Sequence, residues 1–111
     1  MLKTKKIKYF QLRLKKISSL NLLKISKKIK KIVKKNGVKF IINDKPLVAK
    51  MINADGCHIG QKDMSLINAR KILGKNKIIG VTCHNSKRLA QEAKKLGANY
   101  VAFGSDRKSV V

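Results

Sequence analysis

The regular alternation of short apolar segments with lysine-rich amphipathic segments constrains the fold of this 111-residue sequence more than any other feature. Apolar runs typical of strands occur five times, and each interval between them contains apolar residues at helical spacing. Such an alternation predicts an α/β fold with a parallel sheet covered by helices, and no linker interrupts it. The predicted strands are Lys8–Leu14, Val38–Ile42, Cys57–Ile59, Lys77–Cys83 and Tyr100–Phe103.

The intervening segments carry the residues with which helices begin and end. Asn21–Lys35 has apolar residues at helical spacing, and the Asn-Gly pair that follows it is typical of a helix end. A proline suits the first turn of a helix and a serine its N-cap. The predicted starts are Pro46, Ser65 and Asn85 or Ser86, and the predicted closing glycines are Gly37, Gly74 and Gly97.

The charge balance is extreme, with 28 lysines and arginines against five acidic residues and a net charge of +23. A basic excess of this size is typical of a nucleic-acid-binding module, which is one open interpretation. Only four of the basic residues are arginines, and lysine is accompanied by abundant isoleucine and asparagine. This bias favours an AT-rich coding sequence and a solvated lysine surface, with no nucleic-acid partner.

The two cysteines, Cys57 and Cys83, are far apart and lie in apolar strand patterns. We predict that both are buried small side chains, as in a protein of the reducing cytoplasm. The N-terminal segment has no apolar core of a signal peptide, and no window approaches the length of a membrane span. The sequence therefore predicts a cytoplasmic protein without a membrane partner.

Polar residues follow every predicted strand, and two of these groups contain carboxylates. Asn43-Asp44 follows the second strand and Asp63 follows the third. The carboxyl ends of neighbouring parallel strands lie at one edge of the sheet, where ligands bind in such folds. Two carboxylates at this edge predict a site for a hard cation such as Mg²⁺.

Five segments, in order, resemble the thiamine-phosphate synthase family, also called thiamine-phosphate pyrophosphorylase. The similarity extends from about residue 7 to 104, and the GxHxGQxD pattern is its most specific part. The segments are QLRLK at Gln11–Lys15, INDKP at Ile42–Pro46, ADGCHIGQKDMSL at Ala54–Leu66, IIGVTCHN at Ile78–Asn85 and LGANYVAFG at Leu96–Gly104.

The resemblance implies a fold and a reaction. The family folds as an eight-stranded (β/α) barrel, of which this chain would contain about five consecutive βα units, strands 2 to 6. Its members couple 4-amino-2-methyl-5-(diphosphomethyl)pyrimidine with a thiazole phosphate and release pyrophosphate in a Mg²⁺-dependent reaction. No general base is obligatory, because pyrophosphate leaves before the thiazole nitrogen attacks. His58 and His84 are accordingly expected to be structural, or to hold other site residues in place, and not to be catalytic.

The resemblance also implies roles for individual residues. Asp44 and Asp63 would bind Mg²⁺. Thr82 stands where the family usually has serine, and Leu14 where it commonly has glutamate. The alternation of polar and apolar residues along the first strand would place Arg13 inside the barrel as a buried charge. The substrate-binding residues implied are Gln11, Leu12, Arg13, Leu14, Lys15, Asn43 and Thr82.

A second alternative is a barrel relative with different chemistry, such as a thiazole tautomerase. The residues that would hold a pyrophosphate favour the synthase, because a tautomerase has none to bind. We predict that residues 1–105 form a partial barrel domain. The last six residues, DRKSVV, match the translation of a sequencing-adapter string, so 106–111 is predicted to be a non-native tail.

Overall fold

A computed structural model of the chain describes residues 8–14, 16–103 and 109–110, the last two by their backbone alone. Six strands form one sheet in chain order, and every neighbouring pair is parallel except the last, in which β6 runs antiparallel to β5. The five predicted strands are confirmed. The strands are β1 Tyr9–Leu12, β2 Lys39–Asn43, β3 Gly56–Ile59, β4 Ile78–Thr82, β5 Tyr100–Phe103 and β6 Ser109–Val110.

The short strand β6 falls within the segment predicted to be a foreign tail. The backbone of 109–110 pairs with Ala102 and Phe103 of β5. The remainder of that segment, 106–108 and 111, lies outside the described residues, and its origin stays a prediction.

Helices follow the first four strands, and three of them begin at a serine cap. The Ser18, Ser65 and Ser86 side chains each accept a hydrogen bond from the backbone N–H three residues later, so Ser86 rather than Asn85 begins the last helix. None of the helices in the described part of the chain is long and apolar enough to cross a membrane. The helices are α1 Ser19–Lys35, α2 Pro46–Met51, α3 Leu66–Leu73 and α4 Lys87–Lys95.

The outer face of the sheet packs against these helices and forms the hydrophobic core. Phe40 and Ile42 of β2 are fully buried there, as is Ile79 of β4. Both cysteines lie in the same core, as predicted. Burial raises the pKa of Cys57 to about 12 and that of Cys83 above its ordinary value, so both stay thiols at neutral pH.

The inner face of the sheet is strongly concave. Tyr9 of β1 and Tyr100 of β5 lie on strands separated by three others, a distance of about 19 Å in a flat sheet. Their ring centroids are 6.1 Å apart. The five parallel strands therefore curl into a half-barrel, with the carboxyl ends of the strands along one rim.

The first strand is shorter than the alternation of polar and apolar residues over Lys8–Leu14 predicted. β1 stops at Leu12, and Phe10 and Leu14 are each 40% exposed. β1 lies at the edge of the sheet and pairs only with β2 among the described strands, so few residues cover its apolar side. Arg13 is also exposed, which corrects the expectation of a buried charge. Lys15 lies outside the described residues.

At the opposite rim, two side chains fix the starts of neighbouring strands in the same way. Asp55 Oδ2 accepts from the backbone N–H of Phe40 at 2.7 Å, and Asn99 Oδ1 accepts from that of Ile79 at 2.8 Å. Each acceptor is held by a basic residue of a helix, Lys34 for Asp55 and Arg70 for Asn99. The β2–β3 and β4–β5 pairs are thus held in register by the same arrangement, in which a side-chain oxygen before one strand accepts from a backbone N–H of its neighbour.

Candidate active site at the carboxyl rim of the sheet

The first group of polar side chains at the carboxyl rim joins β1 to β2. Gln11 Nε2 donates to Asn43 Oδ1, and the Asn43 side chain also hydrogen-bonds Asp44. The strand register pairs Asn43 with His58 of β3, so Asn43 and His58 are side by side on the inner face. Three predicted site residues from two strands are therefore linked by hydrogen bonds.

Asp44 and Asp63 meet at this rim, as the order of the strands predicted. Asp44 adopts a positive φ of 66° directly after β2, and its backbone N–H donates to the carbonyl of His58 at 2.7 Å. Asp63 lies in the loop after β3, where its Oδ2 accepts from the Gly60 backbone N–H at 2.7 Å. Both carboxylates are thus positioned by backbone contacts.

The proximity of the two carboxylates changes the titration of Asp44. Burial raises its pKa above the ordinary 3.8, and the hydrogen bond and negative charge of Asp63 raise it further. The Asn43 hydrogen bond and the positive charge of Arg13 offset part of this rise. A cation between the two carboxylates would relieve their repulsion.

The donor set fits Mg²⁺ better than a metal that needs several protein ligands. In the described part of the chain, no group of three or more His, Cys, Asp or Glu side chains is arranged to hold a metal. Mg²⁺ commonly takes one or two carboxylates and completes its octahedron with waters and substrate phosphates. Asp44 and Asp63 offer that arrangement.

A second hydrogen-bonded group holds Thr82, the last residue of β4. His58 Nε2 lies 2.7 Å from Thr82 Oγ1, and Gln61 Nε2 donates to the Thr82 carbonyl at 2.7 Å. The other ring nitrogen of His58, Nδ1, lies 3.0 Å from the hydroxyl of Tyr100. Thr82 is therefore held through both its side chain and its main chain.

The sequence model of the family described as thiamine monophosphate synthase matches residues 1–109. The chain belongs to this family. It is 68% identical over 105 residues to the thiamine-phosphate synthase of Pelagibacter ubique, covering 95% of this chain and 50% of that protein. The Clostridium acetobutylicum thiamine-phosphate synthase is 48% identical over 95 residues, covering 86% of this chain and 44% of the relative.

A solved structure shares the fold. The thiamine phosphate pyrophosphorylase of Pyrococcus furiosus matches with a TM-score of 0.82 and 32% identity, over 87% of this chain and 47% of the solved one. The chain thus spans about half the length of the thiamine-phosphate synthases that it matches. The resemblance stated from the sequence motifs is confirmed at the level of the family.

The described residues that the thiamine-phosphate synthase motifs single out lie at or just beyond the carboxyl ends of the strands, but two of them, Leu12 and Leu14, have apolar side chains outside the polar groups described above. Leu12 is 8% exposed and packs in the core, so a contact with substrate would have to come from its main chain. Leu14 follows the end of β1 and is 40% exposed. The substrate-binding roles of both, like that of Lys15, stay predictions.

Sequence reasoning assigned no role to Tyr100 or Gln61 in this synthase relative, and it expected His58 to be structural or to hold other site residues in place. His58 and Gln61 lie inside the GxHxGQxD pattern, which was a usable signal for both. Tyr100 is 42 residues from His58 in the chain, and nothing in the sequence joins them. His84 is exposed at the rim with a positive φ of 53°.

Proposed function

We propose that this chain supplies the pyrimidine-diphosphate and Mg²⁺ site of a thiamine-phosphate synthase. The observation that carries the proposal is the pairing of Asp44 with Asp63, beside Arg13 and the Gln11–Asn43 hydrogen bond. Two carboxylates and an arginine at one rim suit a cation and an anionic substrate bound together. Membership of the thiamine monophosphate synthase family supports this assignment.

We also propose that the curled sheet is part of a (β/α)8 barrel. The five parallel strands would be strands 2 to 6 of a (β/α)8 barrel, and residues 1–105 would form a partial barrel domain. The curled sheet and the sequential strand order support this view. In barrels of this kind the active site lies at the carboxyl ends of the strands, where the proposed residues are.

The proposed roles follow from the chemistry of each side chain. The planar guanidinium of Arg13 offers paired donors to phosphate oxygens, and Lys15 would add a point charge. Gln11 and Asn43 would hydrogen-bond the pyrimidine. The Thr82 hydroxyl would contact the same substrate at the end of β4. The reaction couples the pyrimidine-methyl group to a thiazole phosphate with loss of pyrophosphate.

The proposed metal is Mg²⁺, held by Asp44 and Asp63. Bound there, it would neutralise the charge that develops on the departing pyrophosphate. Arg13 would share this charge through hydrogen bonds that strengthen as the leaving group separates. Asn43 would keep the Asp44 carboxylate oriented through the hydrogen bond between them.

The proposed setting is a cytoplasmic enzyme with small-molecule substrates. The buried thiols of Cys57 and Cys83 suit a reducing compartment. The lysines form a solvated surface in this proposal, without a nucleic-acid partner.

The test uses a chimera in which this chain is joined to the segments of the Pelagibacter ubique thiamine-phosphate synthase that it does not cover. We expect Mg²⁺-dependent formation of thiamine phosphate and release of one pyrophosphate per turnover. The unmodified Pelagibacter ubique protein is the positive control. A folded chimera that isomerises a thiazole phosphate without releasing pyrophosphate would contradict the proposal and favour the tautomerase-like alternative. Salt-sensitive DNA binding without pyrophosphate release would favour the basic module.

A further inference from the structure

The hydrogen bonds on the inner face form a connected line from β5 to β4 through β3. Tyr100 OH lies 3.0 Å from His58 Nδ1, and His58 Nε2 lies 2.7 Å from Thr82 Oγ1. His58 is 6% exposed, whereas Tyr100 and Thr82 are half-buried, so these contacts are partly shielded from water. The distances do not fix which partner donates in each bond, because a hydroxyl can donate or accept.

The Tyr100 hydroxyl fixes the direction at one end. Burial raises the pKa of Tyr100 to about 12, so the phenol keeps its proton at neutral pH. In the described part of the chain, His58 Nδ1 is the hydrogen-bond partner of this hydroxyl. If His58 donated instead, the phenol proton would have no acceptor among these residues, and the loss of a hydrogen bond by a half-buried hydroxyl is unfavourable. Tyr100 therefore donates to Nδ1.

The direction at the other end follows from the tautomer of the imidazole. A neutral ring that accepts at Nδ1 carries its proton on Nε2. Nε2–H then donates to Thr82 Oγ1, which leaves the hydrogen of the Thr82 hydroxyl directed to a different partner. The Thr82 main chain is held by Gln61, so the hydroxyl has little freedom to move away.

We propose that Tyr100 and His58 are positioning residues that turn the Thr82 hydroxyl into a hydrogen-bond donor for an oxygen of the substrate's diphosphate group. This inference rests on the proposed function, which places that substrate at the same rim. We call the hydrogen-bonded series Tyr100–His58–Thr82 the relay. His58 also links this relay to the proposed metal site, because its carbonyl accepts from the backbone N–H of Asp44. A Thr82 hydroxyl that donates its hydrogen suits a phosphate oxygen, because such an oxygen can only accept hydrogen bonds.

The experiment measures binding of Mg²⁺-pyrophosphate to the chimera by calorimetry, in a double-mutant cycle of Tyr100→Phe and Thr82→Val. Tyr100→Phe keeps the ring and removes only the hydroxyl, and we expect it to weaken binding roughly threefold to tenfold. In the Thr82→Val background the same change should have no further effect, because the relay no longer ends on a hydroxyl. Thr82→Ser, which keeps a hydroxyl, should restore the sensitivity to Tyr100→Phe.

Tyr9→Phe is the matched control, since Tyr9 is a tyrosine on the same face whose hydroxyl lies outside the relay. It should leave pyrophosphate affinity unchanged in both backgrounds. Nitrogen NMR of His58 in the wild-type chimera should show a bare Nδ1 and a protonated Nε2. The opposite tautomer, or an equal effect of Tyr100→Phe with threonine and with valine at position 82, would overturn the relay.

Two failures remain distinguishable. A folded chimera that does not bind Mg²⁺-pyrophosphate at all would overturn the proposed function, and with it the hydrogen bond from Thr82 to the diphosphate. The His58 tautomer would still test the direction of the hydrogen bonds among Tyr100, His58 and Thr82. Normal pyrophosphate binding with no effect of Tyr100→Phe would leave the proposed function intact and overturn only the roles of Tyr100 and His58.

Discussion

The ring of Tyr100 occupies the space that a side chain at position 80 would fill. A Cβ placed on Gly80 would lie 2.0 Å from Cζ of Tyr100. Gly80 and Tyr100 are register partners on β4 and β5, so the missing side chain lets the ring lie across β4 and reach His58. A glycine that weakens strand β4 is thus a condition for the polar network above it.

Gly80→Ala should therefore displace Tyr100 and destabilise the fold. Forcing an extra carbon into a packed site costs about 1–3 kcal/mol, which urea unfolding of the chimera can measure. In a Tyr100→Ala background the same change should cost much less, because the obstructing ring is gone. Equal costs in the two backgrounds would show that Tyr100 does not require the glycine.

Asp63→Asn should raise the Mg²⁺ concentration that the chimera needs and slow its turnover by about tenfold to a thousandfold. One of two negative charges leaves the cation site, and an electrostatic stabiliser of this kind is worth about 1.4–4 kcal/mol. Steady-state kinetics at several Mg²⁺ concentrations give both quantities. Asp55→Asn is the control: it removes a carboxylate at the opposite rim, so it should lower stability without changing the Mg²⁺ dependence.

Arg13→Lys should fold normally but bind the pyrimidine diphosphate poorly, because the charge survives and the paired donors do not. Arg13→Ala should bind still more weakly. Since Arg13 is exposed, its removal should change the stability of the unliganded chimera by no more than about 0.5 kcal/mol. Thermal melts with and without the diphosphate substrate and Mg²⁺ measure both effects. Equal stabilisation by ligand in wild type and Arg13→Ala would remove Arg13 from the site.

Mg²⁺ affinity should fall on acidification over a range that begins above pH 3.8, because the pKa of Asp44 is raised from that value in the folded chain. Protons and the cation compete for the same carboxylate, so Mg²⁺ binding near the raised pKa should release protons. Acidification has the opposite effect on the stability of the metal-free fold, which increases as the pH falls. A raised carboxyl pKa stabilises the fold below 3.8, and this contribution is lost as the pH rises through the raised value.

Calorimetry of Mg²⁺ binding in buffers of different ionisation enthalpy measures this proton release. Asp44→Asn should abolish it, whereas Asp55→Asn should not. The pKa of Asp55 is below its ordinary value: burial opposes this shift, but the Phe40 N–H and the Lys34 ammonium outweigh it. Proton release that survives in Asp44→Asn would assign it to another group.

Two serines of the first helical region should respond oppositely to alanine. Ser26 is fully buried in α1, and its hydroxyl has no hydrogen-bond partner within residues 8–14 and 16–103. Ser26→Ala should be neutral or stabilise the fold by about 1 kcal/mol, because an unsatisfied polar atom leaves the core. Ser18→Ala should cost about 1 kcal/mol, since it removes the cap of the same helix. Urea unfolding of both variants compares them directly, and a destabilised Ser26→Ala would indicate a partner for its hydroxyl.

The local elements could be predicted from the sequence because their signals are local. Ser65 and Gly74 delimit α3, and Pro46 opens α2, by backbone chemistry that acts within a few residues. The meeting of Asp44 with Asp63 was also predictable, since β2 and β3 are joined by a short helix and must be neighbours. The family could be recognised because its motifs follow these strand ends.

Other features depended on tertiary structure. The exposure of Leu14 and Arg13 follows from the position of β1 at the edge of the sheet, which the alternation of polar and apolar residues does not reveal. The contact of Tyr100 with His58 requires the curl of the sheet and the absence of a side chain at Gly80. Sequence periodicity determines which face of a strand is apolar, but the curvature of the sheet decides which distant residues meet on its concave side.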